Sequence, residues 1–360
     1  MNVLRSLHGE KGNLFFSGTS LRTALGMTAL GARGKTLDEM AQTLGSDPDR
    51  AKNAAAAKAE VDAWKQAAGK AELVIANRLW VASNYSLEKS FLAETQSGYG
   101  ASAVLTDFAK APEPSRQRIN GWVSDTTKGK IKDLLPHSAV GPLTRLVLTN
   151  AIYFKGNWEE PFKKSDTRDQ PFHADAGDVN VPMMHRSGMM SYGESDEVRL
   201  VELSYKESDL SMLIALPRKA EQLATIEAQI RGANVDAWAK SLTPTKVDLA
   251  MPKFTFSWGR SVKPELEALG MRLAFTDKAD FSAMSSPKAE PLLVSDVFHQ
   301  AFVLVDETGT EAAAATGVVM VVTTSMQRAI SLELDRPFLF FIRDRKNGEA
   351  LFSGRVANPK

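Results

Sequence analysis

The chain has 360 residues, 43% of them hydrophobic and 24% charged, and its 44 Lys and Arg nearly cancel its 43 Asp and Glu. That balance implies a globular protein with ample core, and it gives no reason to expect a nucleic-acid or membrane partner. There is no cysteine, which excludes disulfides, thiol nucleophiles and thiolate metal sites, and the longest apolar runs, 318–322 and 338–342, fall far short of the ~20 residues that span a bilayer.

Residues 1–8 read as the tail of a helix with Val3, Leu4 and Leu7 on one side, without the apolar run of a signal peptide. Residues 14–16 are strand-like. Ser17-Gly-Thr-Ser20 then supplies N-cap chemistry for an apolar helix over 21–30, and Gly34 and Gly45 bound a second helix over 36–44. The Ala- and Lys-rich stretch 50–68 predicts a surface helix with Val61 and Trp64 on a narrow apolar face. A strand over 73–81, helices over 86–95 and 115–127, and a strand near 103–107 follow. The run 146–154 is too apolar for an edge and belongs in the middle of a large sheet. Strands dominate 170–216, with 211–217 the clearest, and helices are expected at 220–230, 235–241 and 264–269. Residues 247–256 alternate as a strand around Pro252, and 292–305 returns to strand. The last two strands, 338–342 and 350–356, flank Asn347-Gly348, a pair suited to a hairpin turn with positive φ. No linker or repeat divides the chain, so one α+β domain with several sheets is the reading.

Familiar catalytic constellations are missing. The five histidines (His8, His137, His173, His185, His299) lack the spacing of a zinc hydrolase, and no metal or cofactor is implied. Gly34-Lys35-Thr36 ends like a phosphate-binding loop, but the upstream glycine position is Ala29 and a helix precedes it. No Gly-x-Ser-x-Gly elbow exists. Asn84-Tyr85-Ser86 is a formal glycosylation acceptor. Lys58 and Lys65 share a helical face, but Glu60 and Asp62 dilute their field, so a solvated helix face is favoured over a polysaccharide site.

The stretch 307–325 stands apart because it has no single local preference. Ala312–Ala315 suit a helical turn, 318–322 suit a strand, and Gly309 and Gly317 interrupt both. Small side chains of this kind fit between packed layers without overpacking, which marks a candidate conformational switch; an ordinary Ala-rich helix end followed by a core strand is the alternative.

Several motifs together resemble those of the serpin family. They are Asp306-Glu-Thr-Gly-Thr-Glu-Ala-Ala-Ala-Ala-Thr316, Asn150-Ala-Ile-Tyr-Phe-Lys-Gly-Asn-Trp158, Ile119-Asn-Gly-Trp-Val123 with Thr127 and Gly129-Lys-Ile131, and Phe352-Ser-Gly-Arg-Val-Ala-Asn-Pro359. Val181-Pro-Met-Met184, Met251-Pro-Lys-Phe254 and Arg336-Pro-Phe338 add to them, so the resemblance runs from about residue 2 to 359.

The resemblance implies a single α+β domain over 1–360 with three β-sheets, about eight or nine helices and an exposed reactive-centre loop at about 307–336. It implies an inhibitor and not an enzyme: a suicide substrate of serine, or cysteine, proteases whose cleaved loop inserts into the main sheet and traps the acyl-enzyme. The hinge would be Glu307, Gly309, Thr310, Glu311, Ala312, Ala313, Ala314, Ala315 and Thr316. In a strand, Thr310, Ala312, Ala314 and Thr316 share the face that enters the sheet, while Glu311 stays on the solvent side.

By the same resemblance, Ser17, Ser20, Asn150 and His299 form a polar cluster under the sheet centre that controls strand opening. Trp158, Lys253 and Glu307 form the upper opening, with Lys253 and Glu307 an ion pair. Gly18 departs from the family's usual proline between the two serines. The scissile bond is placed at Thr323-Thr324 or Thr324-Ser325, with Met326 and Arg328 as alternatives. Threonines suit elastase-, subtilisin- or chymotrypsin-like targets, whereas Arg328 would suit trypsin-like ones. The expected partner is a serine protease held covalently by a monomer; the family favours an extracellular or periplasmic site and leaves a cytoplasmic one open. A non-inhibitory serpin acting as carrier, chaperone or structural protein is the rival reading, and the intact Ala-rich hinge argues against it.

Overall fold

A computed structural model describes residues 6–7, 9–47, 49–285, 291–310 and 328–360. Ser17 caps helix α1 (Gly18–Ala29): its backbone is extended and its side chain accepts the Ser20 N–H at 3.1 Å, satisfying one of the free donors of the first turn. Helix α2 (Gly34–Leu44) stops where Gly45 turns left-handed at φ 62°. Helix α3 (Arg50–Ala68) starts under an Asp49 cap. Helices α4 (Lys89–Tyr99) and α5 (Pro112–Thr126) differ from the expected bounds for local reasons. Leu87 bridges Ser285 in an extended conformation and delays α4, whereas Pro112 presets the first turn and starts α5 early. Three short helices, α6 (Leu223–Gln229), α7 (Gly232–Lys240) and α8 (Lys263–Ala268), complete the eight among the described residues.

The strands in chain order are β1 (Leu14–Phe16), β2 (Glu72–Ala82), β3 (Ala103–Thr106), β4 (Leu146–Asn157), β5 (Arg168–Ala174), β6 (Gly177–Glu194), β7 (Val198–Ser204) and β8 (Leu210–Pro217). They continue as β9 (Thr243–Pro252), β10 (Phe254–Ser261), β11 (Asp296–Val305), β12 (Gly309–Thr310), β13 (Ile330–Glu333), β14 (Phe338–Asp344) and β15 (Ala350–Val356). The stretch 247–256 is two strands, because Lys253 leaves the ladder after Pro252 and the chain crosses from one sheet to the other.

One sheet runs β10-β11-β4-β2-β3. Strand β4 sits in its middle, buried from Leu146 to Phe154, as an unbroken apolar run requires. Its neighbours differ in sense: β2 is antiparallel to it, and β11 is parallel, pairing Asp296–Phe302 with Val147–Tyr153. The other sheet runs β1-β15-β14-β8-β7-β6-β9-β13, with β5 on β6. The three sheets implied by the resemblance appear here as two ladders, because β6 serves two groups of strands. Its residues 177–183 pair with β5 and 183–192 with β9, while 191–194 pair with β7.

Apolar side chains between the two sheets, among them Phe15, Trp158, Ile214, Phe340 and Phe352, form one core, and a second fills the space between the β2–β4 region and helices α1 and α5. A third lies under α6 and α7, where Arg355 of β15 reaches Glu227 at 2.7 Å although both are buried.

Candidate functional site

Two polar clusters lie along the seam between β4 and β11. The lower one joins three layers of the fold. Asn150 and His299 are register partners across the seam, and Asn77 of β2 faces Asn150 on its other side. The Ser17 N–H donates to His299 Nε2 at 3.2 Å, so that nitrogen is the acceptor and Nδ1 carries the proton, which it donates to Asn150 Oδ1. Asn150 Nδ2 in turn donates to Ser20 Oγ at 2.7 Å and to Asn77 Oδ1. Ser17, Ser20, Asn150 and His299 are fully buried. Burial holds the imidazole neutral, its pKa pushed down to about 3. Gly18 takes the first helical position beside this cluster without breaking the Ser17 cap.

The upper cluster surrounds the end of the seam. Ladder bonds between β4 and β11 stop at Tyr153 and Phe302, while β4 continues to Asn157. Strand β12 occupies that interval, pairing Gly309 and Thr310 antiparallel to Asn157 and Gly156 and lying against β11 on its other side. The side chain of Thr310 is buried and shares a 2.9 Å hydrogen bond with the Tyr205 hydroxyl. Tyr205 stacks on Trp158 with ring centroids 4.8 Å apart. Trp158 holds the incoming chain twice, its indole donating to the Asp306 carbonyl at 3.0 Å and its backbone N–H to the Thr308 carbonyl at 2.9 Å.

Two glycines make this approach possible. A Cβ on Gly309, whose φ is 154°, would collide with the Gly156 carbonyl oxygen, and one on Gly156 would meet the Tyr205 and Phe154 rings. Asp306 folds the turn before them by accepting from the N–H and hydroxyl of Thr308, both at 2.8 Å.

Glu307 is the anchor of the turn. Its Oε1 accepts both Lys253 Nζ at 3.2 Å and the Thr167 hydroxyl at 2.8 Å, Lys253 Nζ also lies 2.9 Å from Oε2 in ion-pair contact, and the Glu307 carbonyl accepts the Phe162 N–H at 2.8 Å. Burial works to raise the Glu307 pKa, but the hydrogen bonds from Lys253, its own backbone and Thr167 outweigh it and hold the group below the ordinary carboxylate value. The glutamate side chain is 5% exposed and the lysine 37%, so the pair is open to solvent from one side.

The structure thus brings together Trp158, Lys253, Glu307, Gly309 and Thr310 above, and Ser17, Ser20, Asn150 and His299 below. Both ends of the stretch expected as exposed loop are built into sheets, since Glu307 and Thr310 are buried and Ile330–Glu333 pairs with β9. Glu311, Ala312, Ala313, Ala314, Ala315, Thr316, Thr323, Thr324 and Ser325, with Met326, lie outside the described residues; Arg328 is exposed. Sequence reasoning missed Tyr205, Thr167 and Asn77. Only Asn77 carried a signal, as a lone amide in an apolar strand. Lys58 is ion-paired with Asp62 at 2.5 Å, as a solvated helix face implies, and Asn84 is exposed in a turn.

A family model described as Serpin (serine protease inhibitor) matches residues 1–359. An uncharacterised serpin-like protein of Thermococcus kodakarensis is 39% identical over 362 residues, covering 100% of this chain and 84% of the relative. Leukocyte elastase inhibitor of Equus caballus is 38% identical over 358 residues, covering 97% of this chain and 93% of the relative. The solved structure of human thyroxine-binding globulin with thyroxine superposes with a TM-score of 0.90 at 28% identity, covering 100% of this chain and 96% of that one. The chain belongs to the serpin family, described as serine protease inhibitors, and is not an enzyme.

Proposed function

We propose that this chain is a suicide-substrate inhibitor of serine proteases, acting as a one-domain monomer on elastase-, subtilisin- or chymotrypsin-like targets. The observation that carries the proposal is strand β12. A strand of two residues, Gly309 and Thr310, already sits beside β4 where its ladder to β11 ends, and after Glu311 the small residues Ala312–Ala315 follow in the chain. A loop extending that strand downward would separate β4 from β11 and pair with both.

The chemistry is the target's. Its serine hydroxyl attacks the carbonyl at the scissile bond, the amide C–N bond breaks, and the new amine leaves with its proton while an ester ties the protease to the loop. Insertion of about fifteen residues at roughly 3.3 Å each then carries the bound enzyme some 50 Å, before water attacks the ester. The lower cluster must open for this to happen, since His299 and Asn150 bond across the path. Each inward side chain must also be small or neutral, because an unpaired charge buried there costs several kcal/mol.

Incubation with subtilisin, chymotrypsin and elastase is expected to give a denaturant-resistant complex of the combined mass with at least one of them. Cleavage by all three with full protease activity retained overturns the proposal and favours a non-inhibitory role such as carrier; a thyroxine-binding globulin shares the fold. Mass spectrometry of the released C-terminal fragment decides among Thr323, Thr324, Met326 and Arg328 as the residue before the cut.

A further inference from the structure

Arg78 is the one cation of strand β2, and the reaction proposed above makes no use of it. Asn77 turns inward to the lower cluster, so Arg78 turns outward, toward helix α5. Its guanidinium lies 4.0 Å over the Trp122 ring of that helix and 5.4 Å from the Trp80 ring, while Trp80 and Trp122 meet edge to face with centroids 5.6 Å apart. Trp80 is fixed in turn by its indole N–H, which donates at 2.9 Å to Thr149, the register partner of Arg78 on β4. The cation is held in place by aromatic rings, half-buried, with its Nε shut away from any acceptor.

A second guanidinium comes to the same place. Arg118 lies one helical turn before Trp122, on the same face of α5. It is exposed and, like that of Arg78, its guanidinium has no ion pair or hydrogen bond among the described residues. The acids of α5 that could neutralise the two are engaged or distant. Glu113 gives both its oxygens to Arg116, at 2.7 and 2.8 Å, and Asp125 is seven residues beyond Arg118, about 10 Å along the helix axis. Burial first, and then the charge of Arg118, pull the Arg78 pKa below the ordinary arginine value, and no carboxylate among the described residues acts on it in the other direction.

Two like charges kept together without a counter-charge oppose folding unless something supplies the negative charge. A tetrahedral oxyanion meets that need. Guanidinium forks bond phosphate and sulfate oxygens in pairs, so one ion between the two arginines would replace a repulsion with two charge-assisted contacts.

We propose that Arg78 and Arg118 form an oxyanion site between β2 and α5, for phosphate or sulfate, free or as a monoester, and that its occupancy ties the helix to the sheet. The site is independent of the inhibitor reading. The test titrates inorganic phosphate, inorganic sulfate and glycerol phosphate separately into wild type, Arg118→Ala and Arg78→Met at constant ionic strength in chloride. It reads tryptophan fluorescence and the denaturant midpoint. A saturable change with its half-point in the millimolar range is expected for wild type, because Trp80 and Trp122 border the site, with at least ten-fold weaker binding in both variants. Saturation by the free ions alone, or by the monoester as well, tells which source the site accepts, and either result supports it.

The order of stabilities carries a sign. In chloride alone Arg118→Ala should unfold at a midpoint equal to or above that of wild type, because a repulsion is gone, and at saturating phosphate that order should reverse. Arg118 is exposed, so its replacement keeps the fold whatever Arg78→Met does to it. A response that rises without saturating and is equal in wild type and Arg118→Ala would be the general stabilising action of these salts, and would overturn the proposal. A midpoint of Arg118→Ala below wild type in chloride would overturn it too, since the two charges would then not be in conflict.

Discussion

The two clusters on the β4–β11 seam hold the same pair of strands by opposite means. The lower one is neutral and closed: Asn150 and His299 are sealed from water and satisfy each other through a chain that ends in Ser17, Ser20 and Asn77. The upper one is charged and half open, its Glu307–Lys253 pair reached by solvent through the lysine. A neutral mesh is insensitive to salt but loses heavily if one member is removed, whereas an exposed ion pair contributes little and is screened. The difference suits a seam that starts to open from the top and resists until the middle yields.

Substitutions can separate the two halves of that contrast. The largest effect is expected from Thr310→Arg, which forces a guanidinium into the space under Tyr205. Covalent complex should disappear on denaturing gels while loop cleavage persists, and complex formation at the wild-type level would show that β12 does not lead insertion. Next comes Asn150→Ala, which strands His299, Ser20 and Asn77 without their shared partner. A loss of about 2–4 kcal/mol is expected from two or three unsatisfied buried groups, measured as a drop in the denaturant midpoint. A cost below 0.5 kcal/mol would argue that the mesh is not a lock.

The third is a pH effect. His299 has its folded pKa depressed to about 3, and an unfolded histidine titrates near 6.5. The unfolded chain therefore binds the extra proton, and the stability present above about pH 6.5 is lost as pH falls toward 3, by up to about 1.4 kcal/mol per unit. In His299→Asn the acid limb of the stability curve should be shallower between pH 6 and 4, and an unchanged slope would remove His299 from the explanation. Smallest is Lys253→Met, which leaves Glu307 with Thr167 and is expected to cost about 0.5–1 kcal/mol at low salt. The deficit should fade when salt screens the wild-type pair.

The lower cluster of Ser17, Ser20, Asn150 and His299 came through the family resemblance; residue patterning by itself gave only the N-cap chemistry of Ser17–Ser20 and the central placement of the strand that holds Asn150. The upper cluster was legible only in part. Trp158, Lys253 and Glu307 came through family motifs, while Tyr205 and Thr167 sit in unremarkable sequence and matter only because chain folding delivers a hydroxyl to Thr310 and to Glu307. The seating of Gly309 and Thr310 in the sheet was equally hidden, since two residues carry no periodicity. What decides it is the close approach of Gly309 to the Gly156 carbonyl, between positions 153 residues apart. The joining of sheets through β6 was hidden for the same reason: period-two alternation shows which face a strand buries but not how many partners it has.

The placement of β15 has a consequence for biosynthesis. This strand lies between β14 and β1, pairing Gly354 with Phe15 across almost the whole length of the chain. A nascent polypeptide cannot close that sheet until residues 350–356 have left the ribosome, so the seam strands β4 and β11 are made before the sheet that packs against them is finished. During that interval the edge of β8 that β14 later covers is open to strands of another copy, and crowding of half-made chains is the condition under which this fold is most exposed to self-association.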